Sequence, residues 1–457
     1  MTDTVGAEKQ LDPVWAWAPY EPDARRPWDL RWAGHLYRRA GFGATWEQLQ
    51  QALKKGPQRT IDTLLRPEAD LAAFNRTYEQ YEEAAAGSID SLRAWWLRRM
   101  IVTPHPLLEK MTLFWHGHFA LSSAKVGSPL LMQRHVQLLR RGALGRFEPL
   151  LKAVARDPAT LIWLDANDNR KARLDEQYAR AILETFTLGP DKFSPQDVRE
   201  AARALSGWSV FQNEFRFVER EHDAGVKQVL GQQGNFGGDD LLGIALEQPA
   251  TARSLVRKLY RWLISETDVP DDGLIAPLAA PFAKDYDVLK LVETMLRSNW
   301  FFSLSAYRRR IKSPVEFAVG IVRPLEELVP TVHLGRDLAA LGQNLYQPPS
   351  IRGWPGGRMW INKATVLGRS NLALALLAGA GAYGDKIDPA AVARRHGSAT
   401  PQAAGRFLLD LFLQGDVAAK VAEGLLQMAA APAESDAPRR LRQLAHGVVT
   451  LPEFQLA

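Results

Sequence analysis

The sequence predicts an all-α, mainly helical fold with one small β-hairpin excursion near residues 210–220. Three observations predict it. Apolar residues recur at helical spacing through most of the chain. Helix starts and stops of the expected kind punctuate those segments. Only one stretch changes period: Phe211, Asn213, Phe215 and Phe217 alternate with polar neighbours, as in a short strand or hairpin. The expected arrangement is an irregular arm over 1–30 followed by one large helical domain over 31–457. A division of that domain into lobes at 31–208 and 240–457 stays open.

Taken in order, the arm is rich in proline, tryptophan and charge, with Trp15, Trp17 and Trp28 available to pack it down. Thr45 and Gln48 have capping-box spacing and start a helix. An amphipathic helix with two tryptophans follows at 89–101, and another segment at 106–119. Helical patterning continues at 130–139 and 147–154. The segment 175–188 places Ala179, Ile182, Leu183 and Phe186 on one face, and Gly189-Pro190 ends it. Ser194-Pro195-Gln196-Asp197 opens the next helix with an N-cap, a first-turn proline and an acid in the positive first turn. After the β excursion, the glycine-rich 231–238 reads as a loop. It lacks the lysine and serine or threonine of a phosphate-binding loop. Helices resume at 241 and run through 258–265, 288–296 and 314–328. A Pro/Gly/Trp loop at 347–357 precedes helices at 371–380 and 404–413. Residues 430–437 read as a connection before a last helix.

The 457 residues are 46% hydrophobic and 24% charged, ordinary for a globular protein with a sizeable core. The formal net charge is +6 and the pI is near 9.4. No basic run stands out, because arginines alternate with acids along helical segments. Nucleic acid is therefore not an expected partner. The absence of cysteine removes disulfides, thiolate metal sites and cysteine nucleophiles together. The apolar stretch at 372–382 is too short to span a bilayer, so no membrane association is expected. The first ten residues are polar and show no signal pattern, which favours a cytoplasmic location.

Chemistry-bearing residues gather in three places. Glu176, Arg180 and Glu184 follow one another at four-residue steps, which stacks an arginine between two carboxylates on a helix. Tyr178 lies in the same turn. His116 and His118 flank Gly117, a plausible helix stop. On a continuous helix two such histidines diverge by about 160°; in a turn they face one way and suit a metal ion with a third ligand from elsewhere. His222-Asp223 with Lys227 follows the β excursion and suits an anion or a base. Ser122 and Ser123 lie close to His118, but no nucleophile-elbow or zinc-helix motif accompanies them.

Five blocks together resemble the bacterial family catalogued as domain of unknown function 1800. They are His35-Leu-Tyr-Arg-Arg-Ala-Gly-Phe-Gly43, the Phe-Trp-His-Gly-His-Phe119 segment, and Glu176-Gln-Tyr-Ala-Arg180 with Glu184 and Phe186-Thr-Leu-Gly189. Asp197-Val198 to Gly207-Trp208 with His222, Asp223 and Lys227 is the fourth, and Gln347 to Gly357 with Trp360-Ile-Asn362 the fifth. The resemblance runs from about residue 35 to the C-terminal end. Relatives in that family often carry export signals, unlike this N-terminus. The family pattern also has an acid where this chain has Ala181. No activity is implied by the resemblance.

Two functional readings follow. In the first, His116, His118, Glu176, Tyr178, Arg180, Glu184 and His222 line a polar cleft of a metal-dependent enzyme, a hydrolase or an oxidase. His116 and His118 then ligate a divalent metal ion, Glu176 or Glu184 ligates or acts as base, and Arg180 orients a carboxylate or anchors an anionic substrate. The alternative is a non-catalytic binding or assembly protein. There the same residues form a buried polar network, and an exposed loop around Trp354 takes a protein or glycan partner. What separates the two is whether the polar residues open onto a cavity or are satisfied inside.

Overall fold

A computed structural model describes residues 12–67, 71–378, 381–429 and 437–457. It is predominantly helical, with two small two-stranded antiparallel sheets among the described residues. The expected connection at 430–437 lies, apart from Ala437, outside the described residues, as do the first eleven residues of the arm. The described part of the arm is ordered. Asp12 caps a short Pro13–Trp17 helix, the Trp17 indole donates to Leu274 O at 2.8 Å, and the Trp28 indole donates to Ala52 O at 3.0 Å.

Local chemistry sets the helix ends. Thr45 and Gln48 form a reciprocal capping box at the start of Trp46–Leu65, and Ser194 with Asp197 does the same for Pro195–Leu205. These boxes satisfy backbone N–H groups that the first helical turn leaves unpaired. The β excursion is a hairpin of β1 (Trp208–Phe211) and β2 (Glu214–Phe217), with Trp208 opposite Phe217. Gln212 and Asn213 turn it, both at positive φ, as a two-residue type I′ hairpin requires. A second hairpin follows, β3 (Lys227–Val229) and β4 (Gln232–Gly234), turned by Leu230 and Gly231. Part of the expected glycine-rich loop is therefore strand β4. Its polar Gln-Gln-Gly sequence gave no apolar alternation to mark it.

Buried apolar side chains form two large clusters. The Pro106–His118 helix serves both. Leu107, Met111, Phe114 and Trp115 join one cluster, and Leu113 joins the other. Each large apolar side chain so buried contributes about 1.5–3 kcal/mol relative to exposure. That helix does not stop at Gly117. It runs to His118, and the Phe119 N–H closes it on Trp115 O. Gly117 meets a different demand: Gly353, at φ +72, packs its backbone directly onto it. A Cβ on Gly353 would stand 2.3 Å from Gly117 O. The 347–357 loop is thereby seated on the end of the histidine helix.

A candidate anion-binding cavity beneath the Trp354 loop

The helix carrying the acid–arginine ladder changes its winding midway. Gln177–Arg180 is α-helical, and Ala181–Thr187 is a π-helix. The Leu188 N–H reaches Leu183 O at 2.9 Å, a five-residue span, and the Thr187 hydroxyl bonds Ile182 O at 2.7 Å. The wider turn breaks the constant α period that the ladder assumed. Glu176 stays with Arg180 and Arg199, each 3.6 Å away; both arginines are exposed and Glu176 is partly so. Glu184 turns elsewhere and pairs with Arg352 of the Trp354 loop at 2.6 Å. The arginine between two acids is thus not what forms.

Glu184 instead lines a cavity of about 510 Å³. The Pro106–His118 helix gives it Phe114 and His118. The Pro249–Leu263 helix contributes Ser254, Lys258, Arg261 and Trp262. The loop contributes Arg352, Trp354 and Pro355, and Trp360 lies just beyond it. Glu266, Arg310 and Ser313 close the remaining side. Arg310 donates to Glu266 at 3.2 Å and to Glu316 at 2.8 Å, and its guanidinium sits 4.5 Å from the Trp262 ring centroid. Lys110 also pairs with Glu316. Burial alone would raise the Glu316 carboxyl, but the Arg310 and Lys110 charges outweigh it and hold the group far below its usual range. This wall is a fixed, ionised network.

Lys258 is different. Its Nζ donates to Thr185 O at 2.7 Å and meets His118 Nδ1 at 3.2 Å. Burial pushes its ammonium down to about 8. His118 Nε2 lies 3.3 Å from Phe186 O, a group that only accepts. The proton therefore sits on Nε2, and Nδ1 offers its lone pair to Lys258. Burial, then the Lys258 charge, hold His118 well below its ordinary pKa, so the ring is neutral. Among the described residues, neither Lys258 nor Arg261 has a carboxylate within ion-pairing distance, whereas Glu184 and Glu266 are both engaged.

The structure leaves the other predicted site residues outside the cavity. His116 is fully buried and accepts the Tyr346 N–H at Nε2, 3.0 Å away. Its ring packs against Trp96, Tyr346 and Trp354. Burial lowers its pKa to about 3. Tyr178 is buried and donates its hydroxyl to Ala155 O. His222 Nδ1 stands 2.9 Å from Ser206 O beside the first hairpin. Asp223 binds Arg203 in two-pronged fashion, and Lys227 Nζ donates to Gly225 O. A shared metal ion does not fit the histidine pair. The helix is continuous through both residues, His116 Nε2 holds a backbone N–H, and His118 Nδ1 faces an ammonium. Among the described residues, no group of three or more His, Asp or Glu side chains is placed to hold a metal ion.

Of the residues expected in a cleft, His118 and Glu184 line this cavity; the Trp354 loop was expected as a separate partner surface, and Lys258, Arg261, Trp262, Glu266 and Arg310 were not singled out. One signal was available. Ser254, Lys258, Arg261 and Trp262 fall at helical spacing on one face, a polar stripe that carries a tryptophan. Among the described residues no helix is long and apolar enough to cross a membrane.

No curated protein and no solved structure matches the chain. A family model does, the one described as "Protein of unknown function (DUF1800)", and it matches residues 35–456. Extending over nearly the whole sequence and all five of the blocks read above, that match makes this chain a member of the DUF1800 family.

Proposed function

We propose that the cavity beneath the Trp354 loop is the substrate site of an enzyme acting on a small anionic molecule, and that Lys258 is its working group. One observation carries this reading: two cations, Lys258 and Arg261, line a cavity in which both carboxylates are already paired. An anionic ligand supplies the missing charge. Phe114, Trp262, Trp354 and Trp360 offer it aromatic surfaces, which suits an acid on a flat or ring-shaped body. A lysine whose ammonium is pushed down to about 8 is suited to proton transfer near neutral pH. Because the histidine pair does not fit a metal ion, the chemistry falls to the side chains of the cavity. His116 and Tyr178 belong to the packing that holds the loop and the ladder helix in place.

The test is a titration of the full chain, followed by tryptophan fluorescence, with benzoate and glucuronate beside their neutral counterparts benzyl alcohol and glucose. The acids are expected to perturb the emission saturably, with affinity that falls as salt is added. Equal responses to acids and neutral compounds, or none to either, would contradict the reading.

A further inference from the structure

We propose that Lys258 condenses with a carbonyl group of the bound anion to form an imine, so that the substrate class is a carbonyl-bearing acid such as a 2-oxo acid. This rests on the reading of the cavity given above. Thr185 O and His118 Nδ1 are both neutral acceptors. Two N–H groups satisfy these acceptors, so the third proton of the ammonium can leave without breaking either bond and free a lone pair. The buried lysines are placed otherwise. Lys110 lies on the Glu316 carboxylate, Lys227 donates to Gly225 O and Asn235 Oδ1, and Lys312 lies over the Phe454 ring at 3.4 Å. None of them lines this cavity.

Burial reinforces the geometry by bringing the amine form within reach of neutral pH. Arg261, free of any acid, takes the carboxylate of the ligand. Glu184 lines the same cavity one residue before the carbonyl that holds Nζ. The step balances without an oxidant or reductant. The nitrogen lone pair forms the C–N bond, and one amine proton passes to the carbonyl oxygen to give the carbinolamine. The second nitrogen proton then leaves with the hydroxyl as water, and the C=N bond forms.

Reductive methylation of the full-length wild-type protein with limiting formaldehyde and cyanoborohydride tests this, read lysine by lysine in peptide mass spectra. Formaldehyde is uncharged and small, so it reports the amine itself. At neutral pH Lys258 should label on the order of tenfold faster than the exposed Lys54 and Lys55, because far more of it is free amine. Pyruvate with cyanoborohydride should then leave an adduct on Lys258 that is absent from Lys258→Met. Labelling of Lys258 no faster than that of Lys54 and Lys55 would overturn the proposal, and so would pyruvate adducts confined to other lysines. Wild-type labelling needs no variant to fold. Saturable binding of acids without preferential labelling removes the imine and leaves the anion site, whereas failure of anion binding removes the site itself.

Discussion

Glu109 sits at zero exposure between Arg99, 2.6 Å away, and Arg140, 3.0 Å away, and accepts the Trp96 indole N–H at 2.9 Å. Glu176 holds Arg180 and Arg199 at 3.6 Å on the surface. The same side chain has opposite consequences in these two places. Replacing Glu109 by Gln leaves two buried guanidiniums short of a counter-charge and should cost about 3–5 kcal/mol. Glu176→Gln should cost no more than about 0.5 kcal/mol, since exposed pairs are screened by water and salt. Urea denaturation of the two variants beside wild type checks both. In sequence, Glu176 looked the more promising acid because Arg180 sits four residues away. The partners of Glu109 come from the Ile89–Val102 and Pro129–Gly142 helices. No local spacing announces them.

At the scale of the element, two features position the site. The π turn at Ala181–Thr187 separates Glu184 from Glu176 and Arg180. A ladder drawn at constant α period cannot anticipate it, because an i→i+5 turn is set by packing as well as by residue type. The 347–357 loop was legible as a motif, but its seat on Gly117 joins positions more than two hundred residues apart. It was expected as an exposed partner surface; Gln347, Pro349, Ser350, Arg352 and Pro355 are exposed, while Gly353 is buried and Trp354 half-buried. Gly353→Ala should unseat it, since the added methyl would overlap Gly117 O and the backbone there has positive φ. The expected result is faster proteolysis within 347–357, weaker anion binding, and circular dichroism close to wild type. Lys258 was overlooked for a related reason. Its helix has an ordinary apolar face through Leu255, Val256, Leu259 and Leu263, and the opposite face reads as solvent-exposed until the loop is folded over it.

For the molecule as a whole, buried neutral histidines set the response to acid. His35, His105, His116 and His118 are all lowered, in each case chiefly by burial. Their folded values lie below the ordinary 6.5, so the unfolded chain takes up protons first as the pH falls. The stability they allow is complete above about 6.5 and is lost progressively below it, by up to a few kcal/mol per pH unit. Glu109 and Glu316, whose folded values lie below the ordinary 4.5, hold their contribution until the pH drops below that value. Denaturant midpoints should therefore begin to fall near pH 6, ahead of the carboxylate range. A midpoint unchanged down to pH 5 would contradict this account. The helical class was readable at this scale because helix period and caps are local properties. The pairing of the second hairpin and the joining of two apolar clusters through the Pro106–His118 helix are not.

The central claim is that the working site is the cavity around Lys258, not the exposed Glu176–Arg180 ladder. The most direct measurement is the affinity for benzoate and glucuronate in wild type, Lys258→Met and Glu176→Gln, all checked for folding by circular dichroism. Binding should weaken at least about tenfold in Lys258→Met, equivalent to about 1.4 kcal/mol, and the constant should be unchanged in Glu176→Gln. Wild-type affinity in Lys258→Met, or a loss confined to Glu176→Gln, would contradict it.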